Sequence, residues 1–223
     1  MTSVTSTRAQ ETVNTPLWGG ILASETRRVL AMWVMEMTMR LHLPDEVAHA
    51  AITLWDRFNG ALVGPTARPG DSTAEHIASL LACFNICLKM EHHHRYCDAL
   101  PAMLENTPQC SLEEIFDWEC DIINALDGNI LVDTARAHFT DIIMTTQFTG
   151  NHWDAVLGTA RNLVNASICE QAAPRLDPAL VAWAAVQLVA ARAQLAPVPI
   201  GEEAAWLTQL WVALQRRALA QRA

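Results

Sequence analysis

DSTAEHIASLLACFNICLKME, residues 71–91, is the stretch on which the reading of this chain turns. Asp71 or Ser72 suits an N-cap, and Glu75 falls in the first turn, where the helix dipole favours an acid. Beyond it, Ile77, Ala78, Leu80, Leu81, Ala82, Cys83, Phe84, Ile86, Cys87 and Leu88 leave almost no polar face. A helix apolar all round belongs inside a helical bundle rather than on its surface. His76, Asn85 and Lys89 interrupt it, and it is too short for a membrane span. Its exit carries Lys89, the only lysine of the chain; the other fourteen basic residues are arginines. A compact ammonium can approach backbone carbonyls that a planar guanidinium would crowd.

Outward from this helix, the 223 residues are 51% hydrophobic with eight tryptophans, as expected of a globular chain with a sizeable core. The first residues, MTSVTSTRAQETVNT, lack the apolar segment of a signal peptide, and no apolar run reaches the length of a membrane span. The expected setting is therefore the nucleus or cytoplasm, without secretion and without a membrane partner. The six cysteines form no CxxC pair, and Cys83 and Cys87 suit buried thiols. Charge is uneven: residues 1–133 carry 18 acids and 8 bases, residues 134–223 carry 6 and 7. An acidic first half argues against a phosphate-backbone partner, because nucleic-acid readers need a basic face.

Taken in order, residues 1–20 read as a flexible arm. From Ser24, a plausible N-cap, to Leu41, the positions Leu30, Trp33, Val34, Met37 and Leu41 recur at helical spacing. Pro44 opens a second helix with Asp45 and Glu46 in its first turn, and it ends in Asp56-Arg57-Phe58 before Gly60. Residues 64–70 are a loop ahead of the central helix, and His92-His93-His94, Arg95 and Cys97 read as a short polar connector. Ser111-Leu112-Glu113-Glu114 matches a capping box, starting a helix with Leu112, Ile115, Trp118, Ile122, Ile123 and Leu126 inward, which Gly128-Asn129 ends. Further helices are expected at roughly 134–147, 152–170, 177–193 and 202–220, the third capped by Asp177-Pro178. Ala179 to Ala191 is again apolar nearly all round, so the chain reads as a duplicated helical module of the all-α class.

Five short motifs then fall in register. Arg27 to Met37, RRVLAMWVMEM, resembles the opening helix of a cyclin box, with its Trp and a Glu three residues later. Leu43-Pro44-Asp45-Glu46 and Asp56-Arg57-Phe58 are similar to the second cyclin helix. Leu88-Lys89-Met90-Glu91 falls where cyclins have Ser-Lys-Phe/Tyr-Glu, and Trp118-Glu119 where they have an apolar residue and Glu. Ala179–Ala191 resembles the central helix of a second box. The resemblance implies a cyclin fold of two tandem, roughly five-helix boxes, here 21–133 and a shortened 134–223. It implies a regulatory subunit, not itself an enzyme, that activates a cyclin-dependent kinase by binding its αC helix. Lys89 and Glu119 would bond kinase backbone, with Met90, Glu91, Ile123 and Ile130 beside them. Arg27 and Asp56 would form a structural salt bridge between the first two helices. Val29, Leu30, Trp33, Glu36 and Met37 match the family's docking patch for Arg-x-Leu peptides of substrates or inhibitors.

This sequence also departs from the family pattern. Thr26 replaces Met, Met32 stands where many cyclins have Asp, and Met90 replaces an aromatic residue. Gly128-Asn129-Ile130 replaces Phe-Asp-Leu, deleting an aromatic contact, so a divergent member is expected. Two other readings remain open: a cyclin-fold transcription factor of the TFB type or a scaffold that binds no kinase, and a metal site at Glu91–His94 with Cys97. Consecutive histidines point in different directions, unlike spaced zinc ligands, so no metal and no cofactor is expected.

Overall fold

A computed structural model describes residues 20–61, 73–91, 96–105, 107, 110–146, 148, 152–170, 176–196 and 201–220. Among these residues the regular structure is entirely helical: α1 (Gly20–Arg40), α2 (Asp45–Ala61), α3 (Thr73–Glu91), α4 (Tyr96–Glu105), α5 (Leu112–Ala125), α6 (Ala135–Thr145), α7 (His152–Ile168), α8 (Pro178–Arg192) and α9 (Glu202–Ala220). The expected all-α class is the one observed. None of the described helices is long and apolar enough to cross a membrane.

Helix ends follow local chemistry. Ser111 caps α5 as a full capping box: its Oγ accepts from the Glu114 N–H at 3.2 Å, and its own N–H donates to Glu114 Oε2 at 2.8 Å. Asp177 accepts from the Leu180 N–H, with Pro178 at the first helical position of α8. Thr134 caps α6 in the same way through the Ala137 N–H. Helix α1 ends where His42 turns left-handed at φ 53° and the Leu43 N–H returns to the Thr38 carbonyl. Gly128, at φ 74°, closes α5 through its N–H to Ile123.

Two features of the sequence reading are corrected. Helix α1 extends back past Ser24 to Gly20. Cys97, expected in a polar connector, lies instead in helix α4, which begins at Tyr96 and holds Pro101 in its interior. Its local signal is weak because proline removes a donor, yet Ala99, Leu100 and Met103 are buried, so packing outweighs propensity. Residues 1–19, the 64–70 loop, Asp71 and Ser72, and His92 to Arg95 lie outside the described residues.

Helix α3 is the centre of the first core. Residues 78–88 are all buried, packed between α2 and α5, and α3 also touches α4. A second core gathers Phe139 of α6, Val156, Ala160, Leu163 and Val164 of α7, the buried side of α8, and Leu207 and Leu210 of α9. Helix α8 is less enclosed than its composition suggests, since Leu180 and Trp183 are exposed along one side.

Polar side chains join the two cores along α2. Arg27 on α1 forms a fork with Asp56 on α2, at 2.7 and 2.6 Å, and donates also to the carbonyls of Ile168 and Glu170 at the end of α7. Burial pushes the Asp56 carboxyl up, and the Arg27 hydrogen bonds and charge oppose it without cancelling it. At the other end of α2, Asp45 Oδ2 accepts from Arg161 Nε at 2.8 Å and from Asn165 Nδ2 at 2.7 Å, both on α7. Arg136 of α6 reaches Glu46 at 3.1 Å and donates to Thr140, whose hydroxyl meets the same Glu46. Burial would raise the Asp45 carboxyl, but Asn165, Arg161 and Arg136 together hold it below its ordinary value. His49, wholly buried one turn on, pairs through Nε2 with Asn165 Oδ1 at 3.1 Å. Burial holds its imidazole down to about 4.

Two outcomes are expected. Arg27→Met should lower unfolding free energy by about 3–5 kcal/mol, because it strands a buried carboxylate, whereas Arg27→Met with Asp56→Leu should recover much of that loss in denaturant titration. His49 has a folded value of about 4 against 6.5 when unfolded, so the native state binds fewer protons in between. Its contribution is complete above pH 6.5 and falls as pH drops toward 4, by about 3 kcal/mol. Denaturant unfolding across this range should show that slope in wild type, and a flatter one in His49→Gln.

Candidate functional site

The expected docking residues meet where the C-terminus of α3 lies beside the middle of α5. Lys89 Nζ is 2.6 Å from Glu119 Oε2, so the two bond each other as well as being neighbours in the expected site. Glu119 is nearly buried, its side chain 10% exposed, whereas that of Lys89 is 37% exposed at the rim. The other carboxylate oxygen, Oε1, accepts a hydrogen bond from Asn85 Nδ2, on the turn of α3 before Lys89. One ion pair therefore stands half in the core and half at the surface, braced from inside by an amide.

Around it the surface is apolar. Lys89 Nζ lies 5.3 Å from the centre of the Phe116 ring, a cation–π approach. Spacings of three and four along α5 put Leu112, Phe116, Glu119 and Ile123 on one face. All three apolar members are exposed, as is Met90 after Lys89. The reading of Leu112 and Ile123 as inward residues is corrected here. Ile115, Ile122 and Leu126 take the face that packs on the first core, which leaves Leu112 and Ile123, on the adjoining side of the helix, exposed. Ile130 is half-buried against the first core. Of Glu91 the backbone is helical and its side chain lies outside the description. Sequence reasoning missed Leu112, Phe116 and Asn85. Phe116 sits three residues before Glu119, and that spacing was the available signal.

The expected peptide-docking patch divides by depth. Val29 and Glu36 are exposed and Trp33 is half-buried, whereas Leu30 and Met37 are sunk in the first core, with Val34 between them. Exposed Met32 lies alongside. The Glu36 carboxylate, the acid expected to meet a peptide arginine, already pairs with Arg40 one turn on, at 2.6 Å. An exposed i,i+4 pair of this kind contributes only about 0.3–0.5 kcal/mol, so an incoming guanidinium could replace it. The salt bridge expected between Arg27 and Asp56 is present, and it reaches α7 as well. Among the described residues no group of His, Cys, Asp and Glu is placed to hold a metal ion; the His92–His94 run lies outside them.

A charged couple framed by exposed apolar side chains, on a bundle of two helical cores, is the make-up of a helical protein-interaction module. Residues 9–131, more than half of the chain, match the family model described as the cyclin N-terminal domain. The chain belongs to the cyclin family, and the all-α structure of its described residues, gathered around two hydrophobic cores, is consistent with the cyclin fold. No curated protein sequence matches it.

The division of α5 into two faces has a measurable consequence. Phe116→Ser should change stability by no more than about 0.5 kcal/mol, as an exposed substitution does. Ile115→Ala, one residue away and fully buried, should cost about 2–5 kcal/mol in denaturant unfolding.

Proposed function

We propose that this protein is a regulatory subunit that binds and activates a cyclin-dependent protein kinase. The observation that carries the reading is the Lys89–Glu119 pair at the rim of the first box, set among exposed Met90, Leu112, Phe116 and Ile123. The family membership supplies the partner class. A kinase transfers phosphate efficiently only when its β3 lysine is paired with a glutamate on helix αC. A surface that binds αC better in that arrangement shifts the population toward it. The apolar residues of α5 and Met90 supply buried area in this reading, and Lys89 and Glu119 fix the register by bonds to kinase backbone. The cyclin resemblance assigns Glu91 and Ile130 to the same docking set. Val29, Trp33 and Glu36 form a strip for Arg-x-Leu peptides, supported from beneath by Leu30 and Met37.

The alternative of a cyclin-fold nucleic-acid binder or scaffold has less support. Arg136 and Arg161, two of the seven bases after residue 133, are engaged with Glu46 and Asp45 rather than offered to phosphate. Such a subunit would work where its kinase does, in the nucleus or cytoplasm.

The test compares wild type with Lys89→Ala, Glu119→Ala against a panel of purified cyclin-dependent kinases, by capture and by phosphorylation of a histone substrate. Replacing both residues avoids leaving the nearly buried carboxylate without its cation. Wild type should capture and activate one kinase, and the double variant should bind it at least about a hundredfold more weakly, at 1.5–3 kcal/mol for each charge-assisted bond. Equal capture by both would place the interface elsewhere. No capture by a well-folded wild type would leave the fold serving another role.

A further inference from the structure

Asn85 breaks the local rule of its helix. From Leu80 to Leu88 every other residue of α3 is apolar or cysteine, and Asn85 is fully buried among them. Its Nδ2 donates to Glu119 Oε1, while its Oδ1 has no hydrogen-bond partner among the described residues. The amide cannot be turned round, because Oδ1 would then face a carboxylate oxygen. A buried amide satisfied at one end is destabilising relative to an apolar side chain that fits the same space. The core therefore tolerates an unfavourable group at the position from which a fully buried α3 side chain reaches Glu119, on the opposite oxygen from Lys89. Departures of this kind concentrate at functional positions.

We propose that Asn85 is a positioning residue of the docking site: it holds one oxygen of Glu119 from within the core, so that the other oxygen and Lys89 are presented together at the surface. The proposal rests on the docking role given above to Glu119 and Lys89. An ionised carboxylate accepts about four hydrogen bonds. Asn85 and Lys89 use one oxygen each, and the remaining lone pairs stay available to backbone N–H groups of a partner. Without the amide, Glu119 and Lys89 would sample several rotamers, and the partner would have to order both on binding. Asn85 touches no partner itself and acts through Glu119.

Two measurements on the full chain test this, using Asn85→Val and Asn85→Ala, so that neither crowding nor a void alone can explain a shared effect. The first needs no partner. Lys89 is the only lysine, so acetylation by an N-hydroxysuccinimide ester, read on its one peptide, reports how firmly Glu119 holds it. Both variants should be acetylated several-fold faster than wild type, with helicity and melting temperature retained. The second is affinity for the purified kinase that wild type captures. Each variant should bind about tenfold more weakly, the loss of one hydrogen bond to a charged group, mainly through faster dissociation. In a double-mutant cycle the Asn85 change should add nothing to Glu119→Ala, which a general packing defect would not reproduce.

Wild-type acetylation and wild-type affinity in both variants would overturn the proposal. So would a loss that adds in full to that of Glu119→Ala. If Glu119→Ala weakens kinase binding while both Asn85 variants bind normally, the inference falls and the docking reading stands. If Glu119→Ala itself binds like wild type, the docking reading falls and takes this inference with it.

Discussion

A guanidinium taken out of water has five donors to place, and Arg27 places four of them where three helices converge. Two bonds go to Asp56 and two to the carbonyls of Ile168 and Glu170. The Asp56 fork locks α1 against α2 in one register. The carbonyl bonds serve groups that the end of α7 leaves without intrahelical partners, and a cation there also suits the helix dipole. Isolated pairs of this depth gain little over an apolar contact, but a half-broken pair costs several kcal/mol. Its main effect is specificity of arrangement. With α1 and α7 fixed to α2, the apolar helix α3 has one slot to occupy, between α2 and α5.

The same logic governs the opposite end of α2. Asp45, Glu46 and His49 face Arg136, Thr140, Arg161 and Asn165, and acids and bases balance across the seam. The acidic excess of the first half is thereby offset locally by arginines of the second, so net charge by halves understates how the two cores match. His49 fits because it is neutral there: burial opposes its proton, and Asn165 uses its Nε2. The exposed Glu36–Arg40 pair, by contrast, is screened by water and holds no element in place.

In the candidate site the burial gradient matters more than the charges alone. Glu119 lies deep enough to be ordered by Asn85 and shallow enough to meet Lys89 at the rim. In the proposed docking role, a partner covering exposed Phe116 and Ile123 on the same face of α5 would lower the local water content around the pair, and bonds to a charged group strengthen as water leaves. A rigid charged couple inside an apolar rim is a common way for an interface to fix register without relying on area.

Much of this was legible in the sequence, for local reasons. The all-apolar run to Leu88 could only be a core helix, the Ser111–Glu114 box and Asp177-Pro178 mark helix starts by their own hydrogen bonds, and the spacing of short motifs from Arg27 to Glu119 carried the family. The rest depends on contacts that no local pattern encodes. A helix apolar all round has no phase, so nothing in 71–91 shows that Asn85 faces Glu119, 34 residues away. Periodicity on α1 groups Val29, Leu30, Trp33 and Met37 but not their depth, and packing on α2 sank Leu30 and Met37. On α5 the neighbours decided that Leu112 and Ile123 face out. Helix α4 forms despite Pro101 because the first core needs its Leu100 and Met103. The seam through Asp45, Arg136 and Arg161 joins residues about a hundred positions apart, and only the folded chain brings them together.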